Sequence, residues 1–372
     1  MLIQNANVFQ ENGGFAPGDV AISGQYFAES GTDGDTFAAA GCYAIPGLID
    51  LHIHGCVGHD FSDTDARGLS DMARYLAKNG ITAVCPTLLT LPEEQLAAAC
   101  RKIAAYADPA GAAFAGIYLE GPFLSPKKCG AQNPAYIRPP DVELVRRLQS
   151  QAGGMIKFLA IAPEMAGAMD LIDALGGEMV CSVAHTEAGY DLAQDAFAHG
   201  ARQVTHLFNA TPPLHHREPG VIGAAMDAPA CRAELICDGV HVHPGAVRAA
   251  LRMFGDDRVI FISDNMAATG MAAGIYDLGG LAVEVRGRCA RLVEGDSIAG
   301  SVVNLMDCLR TAVTEMGIPL AVAVKCASVS PAKALGIFRQ RGSIAPGKYA
   351  DLVLLNEDLS IRAVFLRGEM LS

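Results

Sequence analysis

The chain is 372 residues long, 51% hydrophobic and 18% charged, enough for two to three domain-sized units or one large barrel with an appendage and for a substantial core. Its 28 Lys and Arg against 40 Asp and Glu give a net charge of −12, which argues against a nucleic-acid binder or a basic membrane-surface protein and requires local cations for any anionic substrate. The 40 Gly and 19 Pro are spread rather than massed, which excludes collagen-like and low-complexity structure, and 11 Cys without a Cys-x-x-Cys pair argue against a disulfide framework and fit a reducing compartment.

Residues Met1 to Phe9 lack a basic region and a long apolar stretch, so they do not read as a secretory signal. No run elsewhere approaches the roughly 20 apolar residues of a spanning helix, and the expectation is a soluble, cytoplasmic protein that binds neither membrane nor nucleic acid. Residues 1–45 read as short strands, among them Leu2–Phe9 and Val20–Ser23, broken by Gly, Asn and Asp turns. From Ile45 apolar runs alternate with amphipathic stretches, the pattern of strand-helix units around a parallel sheet. The predicted strands are Ala44–Leu51, Ile81–Leu88, Gly116–Leu119, Ile156–Ile161, Met179–Ala184, Gln203–Leu207, Ala233–Cys237 and Val259–Ile262, with Leu69–Asn79 and Gln95–Ala105 among the helices between them.

Eight such units within residues 46–346 predict an α/β fold, a (β/α)8 TIM-type barrel. Residues 275–300 interrupt it with alternating strands, a helix follows from about Val302 to Met316, and strand texture returns at Asp351–Leu355 and Ala363–Leu366. The two ends, 1–45 and 347–372, are each too short to bury a core alone. They are expected to pair into one small β-sandwich domain, to which residues 275–300 could contribute.

Polar residues fall where chemistry in such a barrel takes place. His52 and His54 close the first predicted strand, Glu120 the third, His185 the fifth, His206 the sixth and Asp264 the eighth. The carboxyl ends of barrel strands form one face, so six potential metal ligands converge at one mouth. A His-x-His pair on a strand turns both imidazoles to the same side, because side chains alternate with period two. Taken singly, Glu120 before Gly-Pro could cap a turn and Asp264 could cap a helix; it is the joint pattern that points to a metal. His199 sits at an apparent helix C-terminus, where the dipole is explanation enough, and His59, His215, His216 and His243 have no positional support.

The same residues carry a resemblance. Pro-Gly-Leu-Ile-Asp-Leu-His-Ile-His-Gly (46–55) and Gly-Ser-Ile-Ala-Pro-Gly-Lys-Tyr-Ala-Asp-Leu-Val (342–353) resemble the amidohydrolase superfamily. Within it, Leu-Glu-Gly-Pro-Phe (119–123), Ala-His-Thr (184–186), Thr-His-Leu-Phe-Asn-Ala (205–210), His-Arg-Glu-Pro-Gly (216–220), Asp-Gly-Val-His-Val (238–242) and Ser-Asp-Asn-Met (263–266) resemble the N-acetylglucosamine-6-phosphate deacetylase family, over nearly the whole chain.

The resemblance implies a divalent metal held by Glu120, His185 and His206, and a second held by His52, His54, Glu120 and Asp264, with Glu120 as the bridge. One or two ions per chain are expected, zinc first, with iron or another divalent ion as alternatives. The implied reaction is hydrolysis of the acetamide of a phosphorylated amino sugar. Asp264 would shuttle the proton and His241 would orient the substrate or polarise its carbonyl. Asn209, Ala210 and Arg217 would meet the sugar phosphate, although Arg217 could instead pair with Glu218 on the surface. Family resemblance also implies a homodimer whose site borrows residues across the interface.

Two departures from the family pattern stand out. Gln132 occupies a position where the family commonly has a His close to the sugar, and Gln cannot exchange a proton near neutral pH. Asn265 replaces the more usual small residue after the Asp. A sugar other than N-acetylglucosamine, such as N-acetylgalactosamine 6-phosphate, or a different amidohydrolase reaction on a cyclic amide or N-acyl amino acid, is the alternative these departures keep open.

Overall fold

The structure is a computed structural model that describes residues 1–30, 34–295 and 297–371. Eight parallel strands form the barrel: Leu48–Ile53, Ile81–Leu88, Ile117–Phe123, Ile156–Ile161, Val180–Val183, Gln203–Val204, Arg232–Ile236 and Val259–Ile262. The eighth returns to the first where Asp264 N–H donates to the His52 carbonyl at 2.9 Å. Alternation along these strands divides the core. Tyr118, Phe158, Ala160, Ile260 and Ile262 pack in the lumen, while Leu119, Leu159, Ile161, Val259 and Phe261 pack outward with the helices.

Helices start where the sequence supplies a cap. Ala66–Lys78 begins earlier than its apolar period suggests because the Asp65 side chain accepts from Gly68 N–H, and Leu305–Thr314 begins after Asn304, which accepts from Asp307 N–H. No described helix is long and apolar enough to cross a membrane.

The first predicted strand differs from the observed one in a way that sets where His52 and His54 stand. Tyr43–Pro46 leaves the barrel and pairs antiparallel with Leu352–Leu355, and only Leu48–Ile53 stays in it. Gly47 is the break, and a Cβ there would lie 2.8 Å from Thr82 Cβ, inside contact distance. Gly47→Ala is therefore expected to lower stability by about 1–3 kcal/mol through overpacking, read as a lower melting temperature. An unchanged melt would show that this crossing is not tight.

The chain ends meet in one eight-stranded, largely antiparallel sheet that runs from Tyr26–Ala28 through Phe15–Ser23 and Leu2–Phe9 to Tyr43–Pro46, Leu352–Leu355, Ile361–Leu366 and Glu369–Met370, with Thr36–Ala38 beside Leu2–Phe9. The sheet curls until Tyr26 bridges Tyr349, which closes it around Ile3, Val20, Phe27, Leu352, Leu354 and Phe365. The small β domain expected from the two chain ends is thus built as a single sheet.

Residues 275–300 do not join it. Gly274–Leu278, Leu281–Arg286 and Cys289–Leu292 form a separate three-stranded sheet, because the turns at Gly279-Gly280 and Gly287-Arg288 let each strand pair with its sequence neighbour. This sheet and the residues that follow it cover part of the barrel mouth, where Leu278, Ile298, Ala299 and Gly300 line the cavity.

Candidate metal centre

Beneath the mouth the lumen turns polar. The Tyr118 hydroxyl and Ser182 Oγ each lie 2.7 Å from Thr205 Oγ1, and above them the strand ends deliver the predicted residues to one point. Glu120 Oε1 lies 3.1 Å from His185 Nε2 and 3.0 Å from His206 Nε2. Its other oxygen, Oε2, lies 3.1 Å from His54 Nε2, and Asp264 Oδ1 lies 3.4 Å from His52 Nε2 and 3.3 Å from His54 Nε2. All six side chains are buried.

Three of these residues have left-handed backbone just past their strands: His185 at φ 44°, His206 at φ 29° and Asp264 at φ 51°. A non-glycine residue rarely adopts that conformation, and here it turns each side chain inward at the point where the chain leaves the sheet. Gly121, at φ 101°, plays the matching part after Glu120; a Cβ there would meet the Thr90 side chain, whose hydroxyl donates to the Glu120 carbonyl at 2.9 Å.

The donor set fits a divalent ion. Glu120, His185 and His206 form one triad of ligand atoms and His52, His54 and Glu120 another, each with its atoms within 4.8 Å of one another. The Nε2 atoms of His185 and His206 are 3.1 Å apart and those of His52 and His54 3.3 Å apart, too close for two N–H groups to face each other. The far nitrogens of two rings are anchored: His185 Nδ1 by the Lys128 carbonyl at 2.8 Å and His52 Nδ1 by Glu234 Oε2 at 3.0 Å. That leaves an Nε2 lone pair on each of these rings for the centre.

Electrostatics agree. Burial favours neutral His54, but Asp264 and Glu120 outweigh it and raise its pKa to about 9. Burial likewise opposes charge on His52, yet Glu120, Asp264 and Glu234 hold its pKa well above the ordinary value. Burial would raise the Glu120 carboxyl, but the imidazoles of His52, His185 and His206 hold it well below the carboxylate range. The carboxylates therefore call for positive charge, and a divalent ion entering the centre displaces protons.

A cavity of about 390 Å3 opens on this cluster, and His241, Asn209, Ala210, Gln132, Lys127 and Lys128 line it. His241 Nδ1 lies 2.6 Å from Asp238 Oδ2 and its Nε2 2.8 Å from the Ala299 carbonyl. Both partners are acceptors, so the ring carries two N–H groups; burial opposes this, and Asp238 outweighs it and raises the pKa. Gln132 is at the cavity wall, but its amide is engaged with Thr90 N–H and Glu120 Oε2. Arg217 lies elsewhere: it lines a different groove with Tyr190, His215 and Glu218, and its Nη1 is 2.7 Å from His216 Nε2.

Residues 43–371 match the amidohydrolase family. The chain belongs to that family. Among amidohydrolases it is 40% identical over 339 residues to a Bacillus subtilis (strain 168) protein named N-acetylglucosamine-6-phosphate deacetylase, covering 90% of this chain and 85% of that one. It is 34% identical over 330 residues to an N-acetylgalactosamine-6-phosphate deacetylase of Escherichia coli O157:H7, covering 88% and 87%. An amidohydrolase of solved structure, an aspartate-to-alanine mutant of the N-acetyl-D-glucosamine-6-phosphate deacetylase from Mycobacterium smegmatis in complex with N-acetyl-D-glucosamine-6-phosphate, superposes with a TM-score of 0.93 at 35% identity over 100% of this chain and 98% of that one.

Several residues of this amidohydrolase site escaped the sequence reading. Glu234, which holds His52, is a carboxylate inside the apolar run Ala-Glu-Leu-Ile and faces the lumen with Gln203. A buried carboxylate on the ligand face of a strand was the signal. Asp238 opens the Asp-Gly-Val-His-Val motif but carried no role of its own, and Thr90 sits in a loop with no spacing to mark it. Glu234→Gln is expected to weaken metal binding about 10–100-fold, since partners of metal-bound His carry effects of that size. Chelator competition measures it, and an unaltered affinity would remove Glu234 from the centre.

Proposed function

We propose that this amidohydrolase hydrolyses the acetamide of N-acetylglucosamine 6-phosphate to acetate and glucosamine 6-phosphate. The observation that carries the reading is the closure of four imidazoles on Glu120 and Asp264 at the floor of one cavity. His185, His206 and Glu120 would hold one divalent ion, and His52, His54, Glu120 and Asp264 a second. An ion held there supplies Lewis acidity to water and to the amide carbonyl, which a neutral water and a weakly electrophilic amide need.

The side chains do the rest. Burial would raise the Asp264 carboxyl, but His52 and His54 hold it below the ordinary range, so it is a carboxylate at neutral pH. It accepts the proton of the attacking water and returns it to the departing nitrogen, which leaves poorly as an anion. His241, whose Nδ1–H stays on Asp238, would turn its Nε2–H from the Ala299 carbonyl to the acetyl oxygen where negative charge develops. Asn209 and the Ala210 backbone take the phosphate.

Zinc is the ion we assign first, because His and carboxylate donors suit it. The working form is a homodimer in the cytoplasm. Arg217 lies on a separate groove of its own chain, so its phosphate role belongs to that dimer, in which the second copy supplies it. Eleven free cysteines suit a reducing compartment.

The second reading keeps the reaction and changes the sugar to N-acetylgalactosamine 6-phosphate. The galactosamine-type relative at 34% identity supports it. Acetate release from both phosphorylated sugars, with unphosphorylated N-acetylglucosamine beside them, separates these readings. The first requires the largest kcat/KM on N-acetylglucosamine 6-phosphate, lost on treatment with a chelator. Equal rates with and without phosphate would overturn both.

A further inference from the structure

Gln132 is fixed from both ends. Thr90 N–H donates to its Oε1 at 2.8 Å, and a backbone amide can only donate, so the side-chain amide is set with Nε2 toward Glu120. Nε2 then donates to Glu120 Oε2, and the side chain is only 4% exposed. This group cannot lose its proton near neutral pH and cannot turn round to offer a lone pair. The same loop carries Lys128, whose carbonyl holds His185 Nδ1 at 2.8 Å, and Ser125, whose N–H donates to the His185 carbonyl at 2.9 Å. One loop therefore fixes both Glu120 and His185.

The two oxygens of Glu120 consequently differ. Oε1 faces His185 at 3.1 Å and His206 at 3.0 Å, with His52 Nε2 farther off at 3.5 Å, and accepts nothing from Gln132. Oε2 faces His54 at 3.1 Å and carries the Gln132 hydrogen bond. A donor on a carboxylate oxygen takes up a lone-pair direction and draws electron density away from any further bond to that oxygen.

We propose that Gln132 is a positioning residue that makes the two halves of the centre unequal, reserving Glu120 for an ion at His185 and His206 and weakening the hold of His52 and His54 on a second ion. The inference rests on the metal reading above and adds an order of filling to it. An ion enters first between Glu120, His185 and His206. The second half fills only at higher metal concentration, and the strength of the Gln132 donor sets the gap between the two steps.

Gln132→Met keeps the length of the side chain and removes its donor, and Gln132→His restores one N–H. The full chain is stripped with a chelator and titrated with zinc chloride against a chelating dye, with bound zinc counted by elemental analysis and folding checked by circular dichroism. The wild type should bind zinc in two resolved steps, Gln132→Met should narrow their ratio by about tenfold or more, and Gln132→His should widen it again. Gln132→Ala, run beside them, serves if the Met variant does not fold. An unchanged ratio in the donor-less variants, or both constants falling together without recovery in Gln132→His, would overturn the inference while leaving the metal reading in place. A wild type that takes up no zinc would overturn the metal reading itself.

Discussion

Glu120→Ala is expected to leave a protein that folds but retains no ion after dialysis and releases acetate only at background rate. Among the described residues Glu120 alone belongs to both triads of ligand atoms, and its oxygens lie 3.0–3.1 Å from His185, His206 and His54. Removing it takes one ligand from each triad at once, and it also leaves buried imidazoles facing each other across 3.1–3.3 Å without the anion between them. The effect on kcat/KM should be about 10^4-fold or more, since Lewis-acid activation disappears together with the ion. Elemental analysis and a coupled acetate assay measure it together. A variant that binds metal tightly and turns over substrate would show that the imidazoles suffice.

Asp264→Asn is a sharper change. The side chain keeps its shape and one oxygen for His52 and His54, so metal content and melting temperature should remain near those of the wild type, while kcat falls by about 10^2–10^4-fold. Asn has an N–H group where Asp264 carries a lone pair, and it can neither take a proton from water nor give one to the departing amine. Because its neighbours hold the Asp264 carboxyl below the ordinary range, the wild-type group is ionised throughout the neutral region and its own titration lies on the acid side. A raised KM with kcat unchanged would refute the proton-shuttle role and leave Asp264 as a binding group.

Much of this site was legible because two signals coincide. Apolar runs mark the barrel strands, and His52, His54, His185, His206 and Asp264 each stand at or just past the end of one, while Glu120 lies within Ile117–Phe123, a strand that runs on past its predicted end at Leu119. Period-two alternation then places the first pair of imidazoles on one side. What escaped depends on contacts between distant segments. The break at Gly47 is decided by Thr82 of the next strand, and the pairing of Tyr43–Pro46 by Leu352–Leu355 some 300 residues away. Gln132 was expected to face the sugar, yet its direction is set by a backbone N–H of another loop, which no pattern near residue 132 reveals. Arg217 was expected at the phosphate on motif alone, and the fold carries its loop to a separate groove.

The left-handed backbone at His185, His206 and Asp264 has a consequence for how this protein can change. Each such residue costs about 1–3 kcal/mol that glycine, and to a lesser degree asparagine, would recover. Fold stability and the proposed metal chemistry therefore pull in opposite directions at the same three positions. A library screened for heat resistance alone would drift there first and lose its ligands, so a screen for hardier variants has to demand turnover at every round.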